Sequence, residues 1–290
     1  MSPPSQDTSA MVMDDKSFAT LSALAKAEAG LVLPVGKMTM VQSRLRKRLI
    51  ASGQPDYPSY CRLVSSPEGL EERRQMISAL TTNVSHFFRE SHHFDILRDK
   101  VVPELLRKTR AGQKIRIWSA GCSSGQEPYS IGMCLLSAAP ELASKDLLIL
   151  GTDIDPAILE KAEAATYSGQ QVTGIPEAMR KTYMEPAGGD QYRVGPAVRK
   201  LVRFRELNLL RDWPMKGQFD AIFCRNVVIY FDSDTQATLW PRFRQRLTGD
   251  GWIFLGHSER ISDAALPLFE PTGMTAYRVA GSVPPTARKD

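Results

Sequence analysis

From Lys114 onward, short apolar runs alternate with segments of helical periodicity, and this alternation constrains the fold more than any other feature of the chain. The apolar runs are Ile115–Trp118, Leu147–Leu150, Val202–Phe204, Phe219–Phe223 and Trp252–Leu255. The helical segments are Glu127–Ala138, the residues after Asp155, and about Ser233–Leu247. Strands that are apolar throughout and alternate with helices form a parallel sheet covered on both faces. The sequence therefore predicts a doubly wound α/β domain.

The helix after the second apolar run has a clear start signal. Asp155 is a good N-cap residue, and Pro156 suits the first helical position because its fixed φ is already helical. We therefore predict that a helix begins at Pro156.

One stretch of the α/β domain does not follow the alternation. Gln191–Val194 and Val198–Phe204 have the character of short strands, and Gly188-Gly189 is a turn signal before them. Such a pattern is typical of two or three antiparallel strands around a Gly-Gly turn. The sequence predicts a small antiparallel β insertion at about residues 187–204.

The residues before the α/β domain have apolar side chains at helical spacing instead. Examples are Phe18, Leu21, Leu24 and Ala25, and later Met76, Ile77 and Leu80. Breaks at turn residues such as Gly30 and Gly53 predict an all-helical domain of four or five short helices. We divide the chain into a disordered tail at residues 1–15, this domain and a linker at 16–97, the α/β domain at 98–282 and a tail at 283–290.

Cysteine content and hydropathy exclude several classes of protein. The four cysteines include no C-x-x-C pair, which is typical of a reduced, cytosolic chain. No basic N-terminal region leads into an apolar segment, and no window approaches about 18 uninterrupted apolar residues. We expect a cytoplasmic protein without direct membrane insertion.

The first apolar run leads into a loop of small residues, Ala120–Gly125, before a helix. In an open α/β sheet, ligands bind beyond the carboxyl ends of the strands, where small residues let the backbone approach the ligand closely. The second run ends at Asp153, whose carboxylate would be placed to accept both ribose hydroxyls of a nucleoside. The sequence therefore predicts a nucleoside site.

The surrounding residues indicate which nucleoside. The chain has neither the G-x-G-x-x-G pattern of dinucleotide sites nor the P-loop pattern at this position. Glu127 opens the following helix, and its charge would repel a phosphate but suits the sulfonium and ammonium groups of S-adenosylmethionine. The alternative is a tight strand-to-helix turn with a carboxylate that complements the helix dipole.

Six motifs occur in order between about Lys37 and Val279. They are Ala79–Glu90, Trp118–Ser130, Thr152–Asp155, Asn208–Leu210, Phe219–Phe231 and Gly256–Glu259. In this combination the sequence resembles the CheR-type chemotaxis receptor methyltransferases, which transfer methyl groups from S-adenosyl-L-methionine to glutamate side chains of bacterial chemoreceptors. The resemblance implies a Rossmann-like methyltransferase fold, S-adenosyl-L-homocysteine as product, and methyl-accepting chemoreceptors as partners.

The resemblance also implies roles for individual residues. The cofactor-binding residues are Asn83, Ser85, Arg89, Glu127, Asp153, Asn208, Leu209, Arg225 and Asn226. Arg89 would reach the methionyl carboxylate, Asp153 the ribose and Asn208-Leu209 the adenine. Tyr230 would lie near the transferable methyl group, so Arg89 and Tyr230 are the expected catalytic residues.

Simpler interpretations of these residues stay open. Arg89 and Glu90 would otherwise be a surface pair on a helix, and Tyr230 would be a strand-end aromatic residue that packs on the core. The histidines suggest a metal site, but His92 and His93 are consecutive and would point in different directions on a helix. We expect no metal site.

Part of the net charge of +5 is concentrated on one predicted helix. Between Ala29 and Pro55 the chain has no Asp or Glu, and its basic residues there are Lys37, Arg44, Arg46, Lys47 and Arg48. Helical spacing places Arg44, Lys47 and Arg48 on one face. A charge run is usually a solvated face. In the family, however, the corresponding helix meets the acidic methylation helices of the receptor, which implies that Arg44, Arg46, Lys47 and Arg48 bind receptor.

The resemblance leaves some partners open. In some family members the β insertion captures a C-terminal receptor peptide by adding a strand, whereas others lack this tether.

A nucleic-acid methyltransferase is one alternative function. However, this chain has Arg225–Tyr230 where such enzymes place an Asn/Asp-Pro-Pro-Tyr/Phe-like motif. The basic helix also lacks interleaved aromatic residues for base stacking, so we expect no nucleic-acid partner. A catalytically silent cofactor-binding regulator is the other alternative, and Arg89, Asp153 and Tyr230 argue against it.

Overall fold

The computed structural model describes residues 12–281, and the contacts divide the chain into two units. One contains the residues up to Thr82 together with Tyr230–Asp232, and the other contains Asn83–Ile229 and the residues from Ser233 onward. The division falls before the predicted linker end at residue 97 because Phe94 and Leu97 belong to the hydrophobic core of the second unit. The predicted tail at 283–290 lies outside the described residues.

The first unit is all-helical, as predicted. Its helices are α1 (Asp15–Ala29), α2 (Met38–Ala51), α3 (Tyr57–Ser65) and α4 (Leu70–Leu80), with a 3-10 turn at Val35–Lys37. Fully buried side chains, including Leu21, Leu45 and Met76, form its core. They follow the apolar spacing that the sequence shows.

The start of α1 corrects the predicted tail at residues 1–15. Met13 is buried, and the Asp14 carboxylate caps α1 by accepting a hydrogen bond from the Ser17 N–H at 2.6 Å. Residues 12–15 are therefore part of the folded unit, and the rest of that tail lies outside the described residues. The helix ends where Gly30 adopts a φ of 71°, which a side chain would disfavour.

The second unit is built on a seven-stranded sheet. Its strands are β1 (Ile115–Ala120), β2 (Leu147–Asp153), β6 (Val202–Glu206), β7 (Phe219–Cys224), β8 (Leu247–Leu255), β9 (Phe269–Gly273) and β10 (Ala276–Val279). The order is β6-β2-β1-β7-β8-β10-β9. All neighbours from β6 to β8 pair in parallel, whereas β10 is antiparallel to β8 and to β9. The predicted parallel α/β sheet is confirmed, and the antiparallel C-terminal pair adds to it.

Helices cover this sheet. They are α5 (His92–Ile96), continued by a π-helical turn at Leu97–Val101, then α6 (Val102–Arg110), α7 (Gln126–Ala138), α8 (Pro156–Ala164), α9 (Glu177–Tyr183), α10 (Pro196–Arg199) and α11 (Ser233–Arg246). Short 3-10 turns occur at Pro140–Ser144, Val228–Tyr230 and Asp263–Leu268. The predicted start of α8 is confirmed, because the Asp155 carboxylate accepts a hydrogen bond from the Ala157 N–H at 3.0 Å.

A second, three-stranded antiparallel sheet corrects the predicted insertion at residues 187–204. Its strands are β3 (Thr166–Ser168), β4 (Met184–Pro186) and β5 (Gln191–Val194), in the order β3-β5-β4. Gly188 and Gly189 form the turn before β5, and both have a positive φ. Val198 instead lies in α10, and Val202–Glu206 is the edge strand of the large sheet, where Val202 pairs with Ile149. The buried side chains of Val202 and Phe204 favour the large sheet over the exposed insertion.

The topology positions the candidate site. β2, β1 and β7 are parallel neighbours, so their carboxyl ends lie at one edge of the sheet. Asp153 is the last residue of β2, Gly121 follows β1, and Arg225 follows β7.

The four cysteines are buried free thiols. In the described part of the chain, every helix is too short or too polar to cross a membrane.

Candidate active site

The loop between β1 and α7 is held in a conformation that requires small residues. Gly121 and Gly125 have φ values of 77° and 88°, and a Cβ atom on Gly121 would overlap the Val227 side chain. The Gly121 and Cys122 N–H groups both donate to the Thr152 carbonyl, at 2.8 and 2.9 Å. The loop therefore folds back against the end of β2, and Gly121 is required there because a side chain would overlap Val227.

Asp153 lies beside this loop at the end of β2. One carboxylate oxygen accepts a hydrogen bond from the Ser123 N–H at 2.8 Å, and the other accepts from the Asp155 N–H at 3.1 Å. Burial raises the pKa of Asp153 to about 6, although these backbone hydrogen bonds oppose the shift. Each oxygen keeps a lone pair, so the ionised carboxylate can still accept two hydroxyl groups.

The segment that begins at Asn83 approaches the same loop. The Asn83 side-chain amide donates to the Asp155 carboxylate at 2.8 Å, and the Asn83 carbonyl accepts from the Ser123 hydroxyl at 2.8 Å. Farther along, the Phe88 N–H donates to the Ser130 hydroxyl at 3.0 Å. Ser85 between them is half-buried. The structure thus brings Asn83 to the predicted nucleoside loop.

A buried network of charged groups lies beyond β1 and β7. The Ser119 hydroxyl donates to Glu127 at 2.7 Å, and the Arg225 guanidinium lies 3.3 Å from Glu127 and 3.4 Å from Glu90. Arg225 also donates to the Arg89 carbonyl. Burial raises the pKa of Glu127, and the charge of Arg225 opposes that rise. One guanidinium is therefore shared by two buried carboxylates.

Arg89 is half-buried at the edge of this network. Its guanidinium donates to the Val84 carbonyl at 3.3 Å, and both flanking residues, Phe88 and Glu90, have a positive φ. Left-handed non-glycine residues on both sides of Arg89 indicate a locally strained backbone of the kind found near functional sites. The surface ion pair proposed as an alternative is not present, because Glu90 faces Arg225.

Asn208 and Leu209 follow β6, next to Asp153. The Leu207 N–H donates to the Asp153 carbonyl at 2.9 Å, and the Asn208 side chain accepts from the Leu210 N–H at 2.9 Å. The Leu209 carbonyl accepts from the Arg242 guanidinium at 2.7 Å. The structure therefore brings the predicted adenine-binding residues close to the predicted ribose-binding residue.

Glu259 was not predicted as a site residue, yet it holds the loop after β7. Its buried carboxylate accepts hydrogen bonds from four backbone N–H groups, those of Asn226 (2.8 Å), Val227 (2.8 Å), Ile229 (3.1 Å) and Gly256 (2.5 Å). Asn226 has a φ of 59°, so the loop turns sharply at the residue expected to line the site. The only sequence signal was the position of Glu259 in the last of the six motifs.

Tyr230 ends the 3-10 turn that follows this loop. It is grouped with the first unit, where its carbonyl accepts a hydrogen bond from the Val32 N–H at 2.9 Å. Its side chain is half-buried. Its expected position near the transferable methyl group stays a prediction.

The helix that carries the basic residues is present as α2, but two of its arginines have partners inside the first unit. Arg44 donates to the Leu80 and Thr81 carbonyls at 2.6 and 3.1 Å, and Arg48 forms an ion pair with Glu72. Both are half-buried, whereas Arg46 and Lys47 are exposed. The sequence spacing identified the helix but not the partners that occupy two of its arginines.

The expectation that His92 and His93 point apart is wrong. Their ring centroids are 4.1 Å apart, and His92 is the first residue of α5. His93 is fully buried, and burial together with the nearby Arg225 lowers its pKa to about 3. The imidazole of His93 is therefore neutral at physiological pH.

Taken together, the second unit offers a loop of small residues, the carboxylate of Asp153 at the end of β2 and a buried carboxylate at Glu127. Comparison with known protein families identifies proteins with this kind of site. Residues 83–278 match the family model described as CheR methyltransferase, SAM binding domain, and residues 16–81 match the one described as CheR methyltransferase, all-alpha domain.

Relatives match over most of their length. The chain is 48% identical over 255 residues to the probable chemotaxis protein methyltransferase of Rhizobium etli, covering 87% of this chain and 95% of that one. It is 37% identical over 282 residues to the chemotaxis protein methyltransferase of Escherichia coli, covering 95% and 94%. It is 36% identical over 236 residues to that of Borreliella burgdorferi, covering 80% and 83%.

Proposed function

The chain belongs to the CheR methyltransferase family, and we propose that it forms methyl esters on glutamate side chains of bacterial chemoreceptors. It is a methyltransferase whose cofactor is S-adenosyl-L-methionine, and its relatives act in chemotaxis by name. The glutamate substrate and the chemoreceptor partner are the proposed part. A cytoplasmic location is proposed as well, and the four free thiols support it.

One observation carries the cofactor part of this proposal. Asp153 and Glu127 lie on either side of the small-residue loop, Asp153 at the end of β2 and Glu127 in the first turn of α7. The first carboxylate suits the ribose hydroxyls, and the second suits a cationic ammonium group. A phosphate-bearing cofactor would meet both negative charges.

Other residues complete the proposed contacts. Arg89 supplies a cation for the methionyl carboxylate, and Asn208 and Leu209 flank the adenine. Asn83 and Ser85 belong to the segment that reaches the loop, and Asn83 is fixed there by Asp155 and Ser123. Arg225 and Asn226 line the site from the end of β7.

The proposed chemistry requires little of the protein beyond positioning. When bound, the cofactor supplies a methyl group on a positively charged sulfur. A glutamate has a pKa of about 4.3 and is ionised near neutral pH, so its carboxylate attacks without a general base. The protein then has to hold the two reactants in line at near-attack distance and exclude water. Arg89 and Tyr230 orient the reactants rather than exchange protons with them.

The exposed pair Arg46 and Lys47 on α2 is the proposed contact with the acidic receptor helix. Opposite charges steer association and raise its rate. The small sheet formed by β3, β4 and β5 has edge strands. We propose separately that one of them binds a C-terminal receptor peptide as an added strand. Receptors from which the C-terminus has been deleted would test this.

The decisive experiment uses labelled S-adenosyl-L-methionine with receptor-bearing membranes. We expect the label to appear on receptor and to be released by mild base as methanol, because glutamate methyl esters are base-labile. Base-stable label on protein or nucleic acid would overturn the proposed substrate. Cofactor binding without any transfer would instead support a silent regulator.

A further inference from the structure

A second polar cluster lies next to Arg89, and three of its buried atoms have no hydrogen-bond partner. They are Glu90 Oε2, His92 Nε2 and His93 Nδ1, and each of these three residues has a ligand-type atom within 4.8 Å of one on each of the other two. Buried polar atoms in folded proteins are nearly always paired. Three ligand-type atoms without a hydrogen bond, on three residues that lie this close together, therefore point to a missing partner common to all three.

The environment of His93 shows which nitrogen is available. Its Nε2 lies 3.1 Å from the Met274 carbonyl and 3.0 Å from the Thr275 hydroxyl. A carbonyl only accepts hydrogen bonds, so Nε2 carries the proton and Nδ1 presents a lone pair. Metal-binding histidines typically have this arrangement, with the second ring nitrogen donating to a backbone carbonyl.

The Nδ1 lone pair faces a carboxylate oxygen rather than a donor. Glu90 Oε2 lies 3.6 Å from His93 Nδ1, which is too long for a direct hydrogen bond. The other oxygen of Glu90 is fixed by the His257 N–H at 3.2 Å and the Asn226 amide at 3.5 Å. Two acceptors thus face each other across a gap that a cation, with metal–ligand bonds of about 2.0–2.2 Å, can bridge.

Local charge permits a cation despite the nearby arginine. Arg225 lies 3.4 Å from Glu90 Oε2, but it is shared with Glu127 at 3.3 Å and donates to the Arg89 carbonyl. Two carboxylates therefore share one guanidinium. The side chain of Glu90 is only 11% exposed, so its negative charge, which Arg225 balances only in part, is screened little by water.

We propose that Glu90, His92 and His93 form a binding site for one divalent transition-metal ion, with Zn²⁺ as the best match. Two imidazole nitrogens and one carboxylate oxygen are a donor set that zinc prefers, and a water molecule completes four-coordination. The site is separate from methyl transfer, which needs no metal. Since Glu90 follows Arg89 directly, occupancy of the site also fixes the backbone that presents Arg89.

The test is titration of the tag-free, chelator-treated full-length protein with ZnCl₂ by calorimetry. We expect one saturable equivalent, and Co²⁺ should give the intense visible bands of a four-coordinate site. His92→Gln should weaken binding at least tenfold, whereas His86→Gln, at a nearby exposed histidine, should leave it unchanged. His93→Gln should abolish binding, with circular dichroism reporting whether that buried variant folds.

Two outcomes would overturn the proposal. One is the absence of saturable Zn²⁺ binding by the wild-type protein. The other is equal binding by the wild type, His92→Gln and Glu90→Gln. Methyl transfer by the metal-free protein is measured separately, so failure of the metal site leaves the proposed function standing, and failure of methyl transfer leaves the metal site standing.

Discussion

The guanidinium of Arg242 stacks over the ring of Trp213 at 4.2 Å from its centroid. Arg242 also donates to the Leu209 carbonyl at 2.7 Å and to the Arg211 carbonyl, and the Trp213 indole N–H donates to the same Leu209 carbonyl at 3.2 Å. The pair therefore ties α11 to the loop that carries Asn208 and Leu209. We infer that Arg242 positions the loop proposed to bind adenine, without itself touching the cofactor.

Arg242→Lys tests this role. Lysine keeps the charge but loses the planar fork that reaches two carbonyls and stacks on an indole. Loss of such charged hydrogen bonds typically costs about 1.5–3 kcal/mol, so we expect S-adenosyl-L-homocysteine to bind at least about tenfold more weakly in calorimetry. Arg244→Lys on the same helix is the matched control. Equal affinity in both variants would remove Arg242 from the cofactor site.

Asp153 predicts a pH dependence of cofactor binding. Its pKa in the folded protein is raised to about 6, and only the ionised carboxylate accepts both ribose hydroxyls. We expect the dissociation constant for S-adenosyl-L-homocysteine to rise by up to tenfold per pH unit below about 6 and to be flat above it. Asp153→Asn should bind weakly at every pH. An unchanged dissociation constant between pH 7 and pH 5 would contradict the assignment.

The raised pKa of Asp153 also predicts how the free energy of unfolding depends on pH, with a trend opposite to that of cofactor binding. A carboxyl whose pKa is raised from 3.8 to about 6 favours the folded state when protonated, so its contribution improves as the pH falls from about 6 toward 4 and is unfavourable above 6. The difference in unfolding free energy between the wild type and Asp153→Asn should follow this sign. Chemical denaturation at pH 5 and pH 7 measures it, without ligand.

Glu259, which follows β8, is expected to stabilise the loop after β7 strongly. Glu259→Gln keeps the shape but places an amide donor against one of two pairs of N–H groups, either those of Asn226 and Gly256 or those of Val227 and Ile229. Unsatisfied buried donors cost about 1–3 kcal/mol each, so we expect a loss of at least about 2 kcal/mol in unfolding free energy and a large fall in kcat. Glu163→Gln, at an exposed position on α8, should change neither.

The parts of the fold that the sequence predicted share a local cause. Each of them depends on the residues of one short segment. Examples are the alternating apolar runs, the Asp155 cap with Pro156, and the Gly121 loop. The β9–β10 pair was missed because β9 contains Pro271 and Gly273 and carries mostly exposed residues. Among the described strands its only partner is the short strand β10, which also pairs with β8.

The contacts in the site that the sequence did not predict join residues that are far apart in the chain. Arg242 reaches Leu209 across 33 positions of sequence, and Glu259 reaches Asn226 across 33. Arg48 is occupied by Glu72, 24 positions away. Spacing along a helix predicts which residues share a face, but it carries no information about a partner on another element.

Arg48 illustrates a structural role on the predicted receptor helix. Its partner Glu72 also accepts a hydrogen bond from the Tyr60 hydroxyl at 2.8 Å, and the Tyr60 side chain is fully buried. Removing the guanidinium would leave a half-buried carboxylate without its counter-ion. We therefore expect Arg48→Ala to lower the melting temperature by several degrees, as scanning calorimetry of the full chain would measure.

Arg46 and Lys47 give the complementary prediction. Both are exposed on α2, so reversing their charge removes an attraction to an acidic receptor helix without breaking a contact inside the unit. We expect the double variant Arg46→Glu, Lys47→Glu to raise KM for receptor about tenfold or more, with the effect shrinking at high salt. Its melting temperature and its affinity for S-adenosyl-L-homocysteine should match the wild type. An unchanged KM would show that the charge of α2 is a solvated face and that receptor binds elsewhere.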